Sequence, residues 1–150
     1  YSDHRVLHSF PTRRSSDLSG FISRENPDPT ARNMAQIFSE CGIPREETIS
    51  WNIVPWYVGS EGRIRTVYQE EINAGIQALK SLQPLLPNLR VVVLVGRKAQ
   101  RAQSAIEIIF QIKVLTCPHP SQRVLNVWPE KREEIKSVFI QAFDMSLGRD

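Results

Sequence analysis

The chain has 150 residues, of which 41% are hydrophobic and 23% charged, and its formal net charge is +3. This length suffices for one domain with a substantial buried core. No stretch approaches the roughly 18 consecutive apolar residues of a membrane span, and no signal-peptide pattern opens the chain, so we expect a cytoplasmic protein with no membrane partner. The mild positive charge permits a nucleic-acid partner without arguing for one.

The number of cysteines limits which metal cofactors the chain could bind. Cys41 and Cys117 are the two cysteines of the chain, too few for a four-thiolate zinc site or an iron–sulphur cluster. In a reducing compartment both thiols are expected to be free. We therefore predict no metal and no cofactor, and we expect a monomer.

The first 18 residues differ in character from the rest of the chain. Residues 8–18 (HSFPTRRSSDL) are the in-frame translation of a common sequencing-library adapter oligonucleotide, a match too long for chance. An ordinary polar tail is the alternative that composition allows. We interpret residues 1–18 as adapter-derived and residues 19–150 as a partial domain whose gene lacks its 5′ end. His119 is then the only histidine in the native portion.

From residue 19 onward, apolar spacing and turn residues predict helices and strands that alternate along the chain. The first predicted helix is capped by Asp28-Pro29 and ended by Gly42, and a strand follows over 49–54. The second helix opens with a capping box at Thr66–Gln69 and is broken by Pro84. The remaining elements are a strand over 90–95, a helix over about 98–110, a strand over 112–116 and a helix from Pro129. Continuously apolar strands separated by helices indicate an α/β fold with a parallel sheet covered on both faces.

Ligands bind beyond the carboxyl ends of the strands in such sheets, and each predicted strand has unusual residues there. Asn52 is a polar amide within an apolar run; a structural, hydrogen-bonded amide is the alternative. Gly96 ends the second strand and allows a phosphate or base to approach the backbone closely, although a tight turn would also explain it. His119 follows the third strand between two prolines that fix the backbone, with a structural loop histidine as the alternative.

Together these residues resemble a known family. Asn52, Gly96 and the tripeptide His119-Pro120-Ser121, in this register, are similar to the uracil-DNA glycosylase superfamily, in particular its bacterial branch near the mismatch-specific and iron–sulphur glycosylases. The resemblance extends from Ser19 to about Phe143. It implies a three-layer α/β/α sandwich around a short parallel sheet. It also implies a DNA repair enzyme that flips uracil or a related damaged base out of DNA and hydrolyses its N-glycosidic bond.

The resemblance assigns roles at the flipped base. His119 would donate a hydrogen bond to uracil O2 and stabilise the departing ring. Asn52 would accept from N3–H and donate to O4, and so distinguish uracil from cytosine. Phe21 is the best match for the aromatic ring that stacks on the base, with a core or loop-anchoring phenylalanine as the alternative.

It also assigns contacts with the DNA around the base. Ser121 and the backbone amides after it would bind a phosphate. The loop 122–125 follows, where relatives insert a wedge into the base stack, and either Arg123 or Leu125 could fill the gap. Solvated loop residues are the alternative for both.

One part of the family pattern is missing. The family's first motif lies at the end of an opening strand and supplies the group that positions the attacking water. That strand should precede Gly20 and lie inside the sheet, between the strand of Asn52 and the strand that ends at Gly96. We find no Gly-x-x-Pro-Gly-like sequence in the native portion, so we expect the opening strand to be absent and this chain to be impaired as an enzyme. Residues 5–10 are a weak substitute, although an unpaired strand edge accepts almost any extended chain.

Two other classes of protein stay open at this point. A doubly wound nucleotide-binding domain shares the alternation of elements, but the sequence contains neither a Gly-x-Gly-x-x-Gly pattern nor a Walker phosphate loop. The other class is a DNA-binding relative that has lost catalysis; in a full-length gene its sign would be a first motif without Asp, Asn or Glu at the water-positioning place.

Overall fold

A computed structural model of the chain describes residues 6–10, 27–60 and 63–149. The strands are β1 Val6–Phe10, β2 Thr48–Asn52, β3 Gly59–Ser60, β4 Arg63–Ile64, β5 Val91–Val95 and β6 Lys113–Cys117. The helices are α1 Pro29–Glu40, α2 Gln69–Leu82, α3 Arg97–Gln100, α4 Gln103–Phe110, α5 Gln122–Val127 and α6 Lys131–Ser146. Within these described ranges no helix is long and apolar enough to cross a membrane.

The four longer strands form one parallel sheet in the order β2-β1-β5-β6, while β3 and β4 form a separate antiparallel hairpin. All five residues of β5 are buried. Because successive side chains of a strand point to opposite faces, Val91, Val93 and Val95 pack with α1 and α6, whereas Val92 and Leu94 pack with α2 and α4. Helices therefore cover both faces, and the predicted α/β/α sandwich with a short parallel sheet is confirmed.

The opening position of the sheet is occupied, which corrects the expectation that this strand is absent. Residues Val6–Phe10 form β1 between β2 and β5, with Val6 in register with both Thr48 and Val91. The physical reason is that a vacant central position would leave two rows of backbone N–H and C=O groups unpaired, and an extended segment of almost any sequence satisfies them. The adapter origin of residues 1–18 stays a prediction.

Helix α1 has the predicted ends. The Asp28 carboxylate accepts hydrogen bonds from the backbone N–H groups of Thr30 and Ala31, at 2.9 and 3.1 Å, which is the N-cap that the Asp-Pro pair predicts. At the other end Gly42 adopts a φ of +65°, a conformation that favours glycine. The core stripe of this helix contains Met34, Ile37 and Phe38.

Other boundaries differ from the prediction. β2 ends at Asn52, because Ile53 and Val54 leave the ladder to pack in the core. The prediction of a capping box at Thr66–Gln69 is wrong. Helix α2 begins after Tyr68, whose backbone N–H donates to the Glu71 carboxylate at 2.8 Å.

Two more segments differ in the second half of the chain. The helix predicted over 98–110 is divided into α3 and α4, since the Ala102 N–H turns back to the Ala99 carbonyl. Residues 122–125, predicted as a loop, lie within helix α5.

Candidate functional site

The three strand-end residues singled out from the sequence lie at one edge of the sheet. Asn52 is in register with Phe10 on the last row of the β1–β2 ladder, and Val95 is in register with Cys117 on the last row of the β5–β6 ladder. Gly96 and His119 follow these rows directly. The sheet therefore brings Asn52, Gly96 and His119 to its carboxyl edge, where open α/β sheets bind their ligands.

The Asn52 side chain is buried but has no described partner. Its residue is 6% exposed, and within the described part of the chain no hydrogen bond to its carboxamide is found. Ile49 and Trp51 pack against the core on the α2 side, so the alternation of β2 directs Asn52 to the opposite face, which α1 and α6 cover. A carboxamide that has no partner among the described residues is available to a ligand.

Close helix packing fixes the backbone just beyond Asn52. A Cβ on Gly75, in α2, would overlap the carbonyl oxygen of Ile53 and lie 2.9 Å from its carbonyl carbon. Only glycine allows α2 to approach the chain this closely. Ile53 and Val54 are fully buried beside it. Contact with α2 thus fixes the backbone directly after Asn52, which itself lies in the β1–β2 ladder.

Gly96 and His119 are in direct contact. Gly96 has a φ of +84°, and a Cβ there would lie 3.0 Å from Cβ and 3.4 Å from Cδ2 of His119. The glycine is therefore required both for its backbone conformation and for the space that the imidazole occupies. Both ring nitrogens of His119 are shielded from solvent.

Hydrogen bonds to main-chain carbonyls hold the His119 turn. The Cys117 carbonyl accepts from the Gly96 N–H at 2.8 Å and from Gln100 Nε2 at 3.0 Å. Asn33 Nδ2 on α1 donates to the Pro120 carbonyl at 2.9 Å. Three separate elements therefore position the backbone on both sides of His119, and the contact with α1 places the turn near the face to which Asn52 points.

The residues after His119 form a short helix. Ser121 is buried, and its hydroxyl accepts from the Val124 N–H at 3.3 Å as the N-cap of α5. Arg123 is exposed, whereas Leu125 is half-buried and packs against the core cluster formed with α1 and α6. Of the two wedge candidates, Arg123 is the one that projects into solvent.

A cleft of about 730 Å³ opens beside the imidazole. Its walls are formed by the start of α3, the end of β6, the His119 turn and the start of α6. The lining residues include Arg97, Lys98, His119, Trp128 and Lys131. The cleft therefore combines an aromatic ring with three cations next to the candidate catalytic histidine.

Two titratable side chains in the cleft wall have identifiable electrostatic surroundings. Lys131 Nζ lies 2.6 Å from Glu134 Oε2, and this hydrogen bond raises the pKa of the lysine. Burial raises the pKa of the Cys117 thiol far above its usual range, so the thiol stays protonated near neutral pH and is unsuited to nucleophilic chemistry.

Among the described residues no group of three or more His, Cys, Asp or Glu side chains could hold a metal ion.

Comparison with known proteins places this edge of the sheet in a family. A family model described as "Uracil DNA glycosylase superfamily" matches residues 11–144. The chain belongs to the uracil DNA glycosylase superfamily. The matched span includes residues 11–18, which we interpret as adapter-derived. The family match favours this assignment over a doubly wound nucleotide-binding domain.

A solved structure of this superfamily type has the same fold. The chain is similar to the solution NMR structure of a candidate uracil DNA glycosylase from Methanosarcina acetivorans, with a TM-score of 0.65 and 15% sequence identity. The match covers 95% of this chain and 92% of that one. No curated protein sequence matches the chain.

Within this uracil DNA glycosylase fold, several predicted site residues are located and others are not. Asn52, Gly96 and His119 share one edge, and Ser121 follows directly. Phe21 lies outside the described residues, as does the segment that follows β1, where the family carries its water-positioning motif.

The sequence analysis missed four residues that the structure brings to the site: Gly75, Asn33, Gln100 and Trp128. Gly75 has a detectable signal, since an isolated glycine inside an amphipathic helix often marks close packing. Asn33 and Gln100 lie on helix surfaces, where polar residues are expected anyway. Their partners are backbone carbonyls far away in the chain, which no local pattern indicates.

Proposed function

We propose that the carboxyl edge of this sheet is the base-excision site of a glycosylase that removes uracil from DNA by hydrolysing its N-glycosidic bond. The observation that carries the proposal is that the Asn52 carboxamide, which has no hydrogen-bond partner among the described residues, and the His119 imidazole lie on the same edge of the sheet. Family membership supports the reaction class. A related damaged base is the alternative substrate.

The environment of Asn52 suits recognition of uracil. Asn52 is 6% exposed and its carboxamide has no hydrogen-bond partner among the described residues, so its donor and its acceptor are both open to a ligand with matching groups. Uracil presents the N3–H donor and the O4 acceptor side by side, so a carboxamide can accept from one and donate to the other. Cytosine has an acceptor at N3 and a donor at C4, which reverses this pattern. We infer that Asn52 selects the base.

His119 suits stabilisation of the leaving group. Cleavage of the bond between base and sugar develops negative charge on the departing uracil ring. A neutral imidazole that donates to uracil O2 would stabilise this charge, and shielding of the ring nitrogens from water strengthens such a hydrogen bond. The hydrogen bonds from Gly96, Gln100 and Asn33 fix the backbone around the ring, so little reorganisation is needed during the reaction.

Contacts with the rest of the DNA follow from the same resemblance. We propose that Phe21 stacks on the flipped base and that Ser121 contributes to a phosphate contact. Arg123 is the better wedge candidate, because it is exposed while Leu125 packs against the core.

Single-turnover excision from a deoxyuridine-containing oligonucleotide, with protein in excess, tests the proposal. His119→Ala should slow excision by roughly 10²–10³-fold, the usual effect of removing one donor to a developing oxyanion. Asn52→Ala should instead reduce the preference for uracil over cytosine. Lys113→Ala, an exposed cation at the opposite end of β6, serves as the control and should match the parent chain.

The same assay separates the alternatives. Full activity of the His119→Ala protein would overturn the catalytic assignment. Binding of DNA by the parent chain without excision of any uracil would favour a relative that has lost catalysis. Since we expect the chain to lack the family's water-positioning group, its rate should be low, and long reaction times are needed.

A further inference from the structure

The cleft beside His119 is lined by described residues of α3, β6, α5 and α6 and by none of β2, so a flipped base bound to Asn52 does not account for all of it. Its lining includes Trp128, which is 51% exposed and lies between α5 and α6. We infer that this cleft binds the nucleotide adjoining the excised one, with its unpaired base stacked on Trp128 and its phosphate near Arg97 and Lys98. This inference rests on the proposed function, because it takes His119 as the place of the excised base.

Trp128 has the properties of a stacking platform. Its backbone N–H donates to the Val124 carbonyl at 2.9 Å, and its carbonyl accepts from the Lys131 N–H at 3.0 Å. The backbone is therefore fixed on both sides while half of the residue's surface stays in contact with water. A large aromatic ring held in this way offers apolar area at a small entropic cost, and any unpaired base has a face that can stack on it.

The charges of the cleft match a phosphate. Arg97 and Lys98 are exposed, and neither forms an ion pair with another described residue. Lys131 is already paired with Glu134, so the positive charge of the cleft comes chiefly from the other two cations. An aromatic ring together with uncompensated cations is the combination that binds single-stranded nucleic acid.

This geometry favours an unpaired neighbour over a paired one. A base within a duplex is already stacked on both faces and cannot also lie on an indole ring. The cleft should therefore increase affinity for single-stranded DNA or for a distorted duplex. An acidic peptide would satisfy the cations, but only an aromatic side chain on it could also stack on the indole, whereas every nucleotide carries both a phosphate and a planar base.

The test measures the affinity of the full chain for a fluorescein-labelled single-stranded oligodeoxynucleotide that carries one deoxyuridine. Trp128→Ala should weaken binding roughly five- to hundredfold, the effect of losing one base–aromatic stack. Trp128→Phe should retain most of the affinity, because a ring remains. Ile108→Ala, which also removes a large exposed apolar side chain, lies outside the cleft and should have no effect.

An abasic neighbour identifies the stacked base. The nucleotide on each side of the deoxyuridine is replaced in turn by an abasic analogue. If the inference is right, one replacement weakens binding to the parent chain and abolishes the further effect of Trp128→Ala. If the effect of Trp128→Ala is the same on all oligonucleotides, or absent, the inference is wrong.

Salt dependence tests the phosphate contact separately. Arg97→Ala and Lys98→Ala should each reduce the slope of log affinity against log salt by about 0.7 per lost phosphate contact, whereas Lys113→Ala should leave it unchanged. Unchanged slopes for both cleft variants would remove the phosphate contact from the inference.

These affinities do not depend on excision. A chain that excises no uracil but shows the abasic effect contradicts the proposed function alone. Normal excision with no response to Trp128→Ala contradicts this inference alone.

Discussion

The carboxyl ends of β2 and β6 both present a candidate functional side chain, but they are held by different forces. Beyond β2, the chain is fixed by contact between backbones, with Gly75 against the Ile53 carbonyl. Beyond β6, hydrogen bonds from Gly96, Gln100 and Asn33 hold the turn. In the first arrangement no described residue forms a hydrogen bond with the Asn52 carboxamide. In the second, the three donors bind backbone carbonyls and none of them binds the His119 ring itself.

This difference predicts how each strand end responds to mutation. Repulsion between atoms in contact rises steeply, so a single added methyl group at the β2 end forces the backbone to move. A hydrogen bond contributes only about 0.5–1.5 kcal/mol net, so one loss at the β6 end is tolerated more easily. Changes at the β2 end should therefore affect stability and base selection, and changes at the β6 end should affect mainly the rate.

Gly75→Ala should have the largest effect. The new methyl group would overlap the Ile53 carbonyl oxygen, and we expect the free energy of unfolding to fall by about 1–3 kcal/mol or more. Selection of uracil over cytosine should also weaken, because Asn52 precedes the displaced residue. Urea denaturation and the uracil-to-cytosine rate ratio measure the two effects.

Helix propensity alone predicts the opposite sign for this substitution, a gain of about 1 kcal/mol from replacing glycine by alanine. An unfolding free energy equal to or above that of the parent chain would therefore refute the steric account. Asn73→Ala, on the exposed face of the same helix, is the control.

Gly96→Ala should have the second-largest effect. The backbone there has φ +84° and ψ 157°, a conformation that is essentially restricted to glycine and costs another residue about 1–3 kcal/mol, and the methyl group would press on His119. We expect moderate destabilisation and a clear fall in the single-turnover rate. Gly148→Ala is a matched control, since its φ is +71° but nothing lies within 4 Å of an added Cβ. Equal rates for the two variants would show that contact with His119 is unimportant.

Gln100→Ala should have a smaller effect. The variant loses one hydrogen bond to the Cys117 carbonyl, which still accepts from Gly96. We therefore expect the free energy of unfolding to fall by about 0.5–1.5 kcal/mol. The excision rate should fall while the uracil-to-cytosine ratio stays constant, because Asn52 is untouched. Gln103→Ala, whose side chain contacts Glu107 instead, should change neither quantity. A change in selectivity would mean that the two ends are coupled.

Glu40→Gln should have the smallest effect, because it changes only the contact between helices α1 and α6. Glu40 joins α1 to α6 through Arg132 at 2.7 Å, and this hydrogen bond lowers the pKa of the carboxyl. A lowered pKa stabilises the fold above the unfolded-state pKa, and this stabilisation is lost as the pH falls through the folded-state pKa. We expect a small decrease in Tm at neutral pH that disappears in acid; a decrease that persists in acid would exclude the ion pair as its cause.

Much of the fold was predictable because its signals are local. The N-cap at Asp28, the glycine after α1, the apolar run of β5 and the Gly96 and His119 strand ends all follow from short-range rules. Asn52 stood out because it interrupts an apolar run. The division between α3 and α4 and the true start of α2 were missed, since Ala102 and Tyr68 carry no strong capping signal. β1 was expected only as a weak substitute, because its place is set by the vacancy between its neighbours more than by its own apolar content.

The order of the sheet has a consequence for motion in the site. Within the described chain β2 and β6 are the two edge strands; Asn52 ends β2, whereas His119 follows β6 and packs against Gly96 at the end of β5. Their relative orientation is set by the accumulated twist of the whole sheet. Edge strands pair on one side only and open before central ones, so each half of the site can fray independently. Amide hydrogen exchange should therefore be faster in β2 and β6 than in β5, and a bound base that contacts both Asn52 and His119 should slow it in both edge strands.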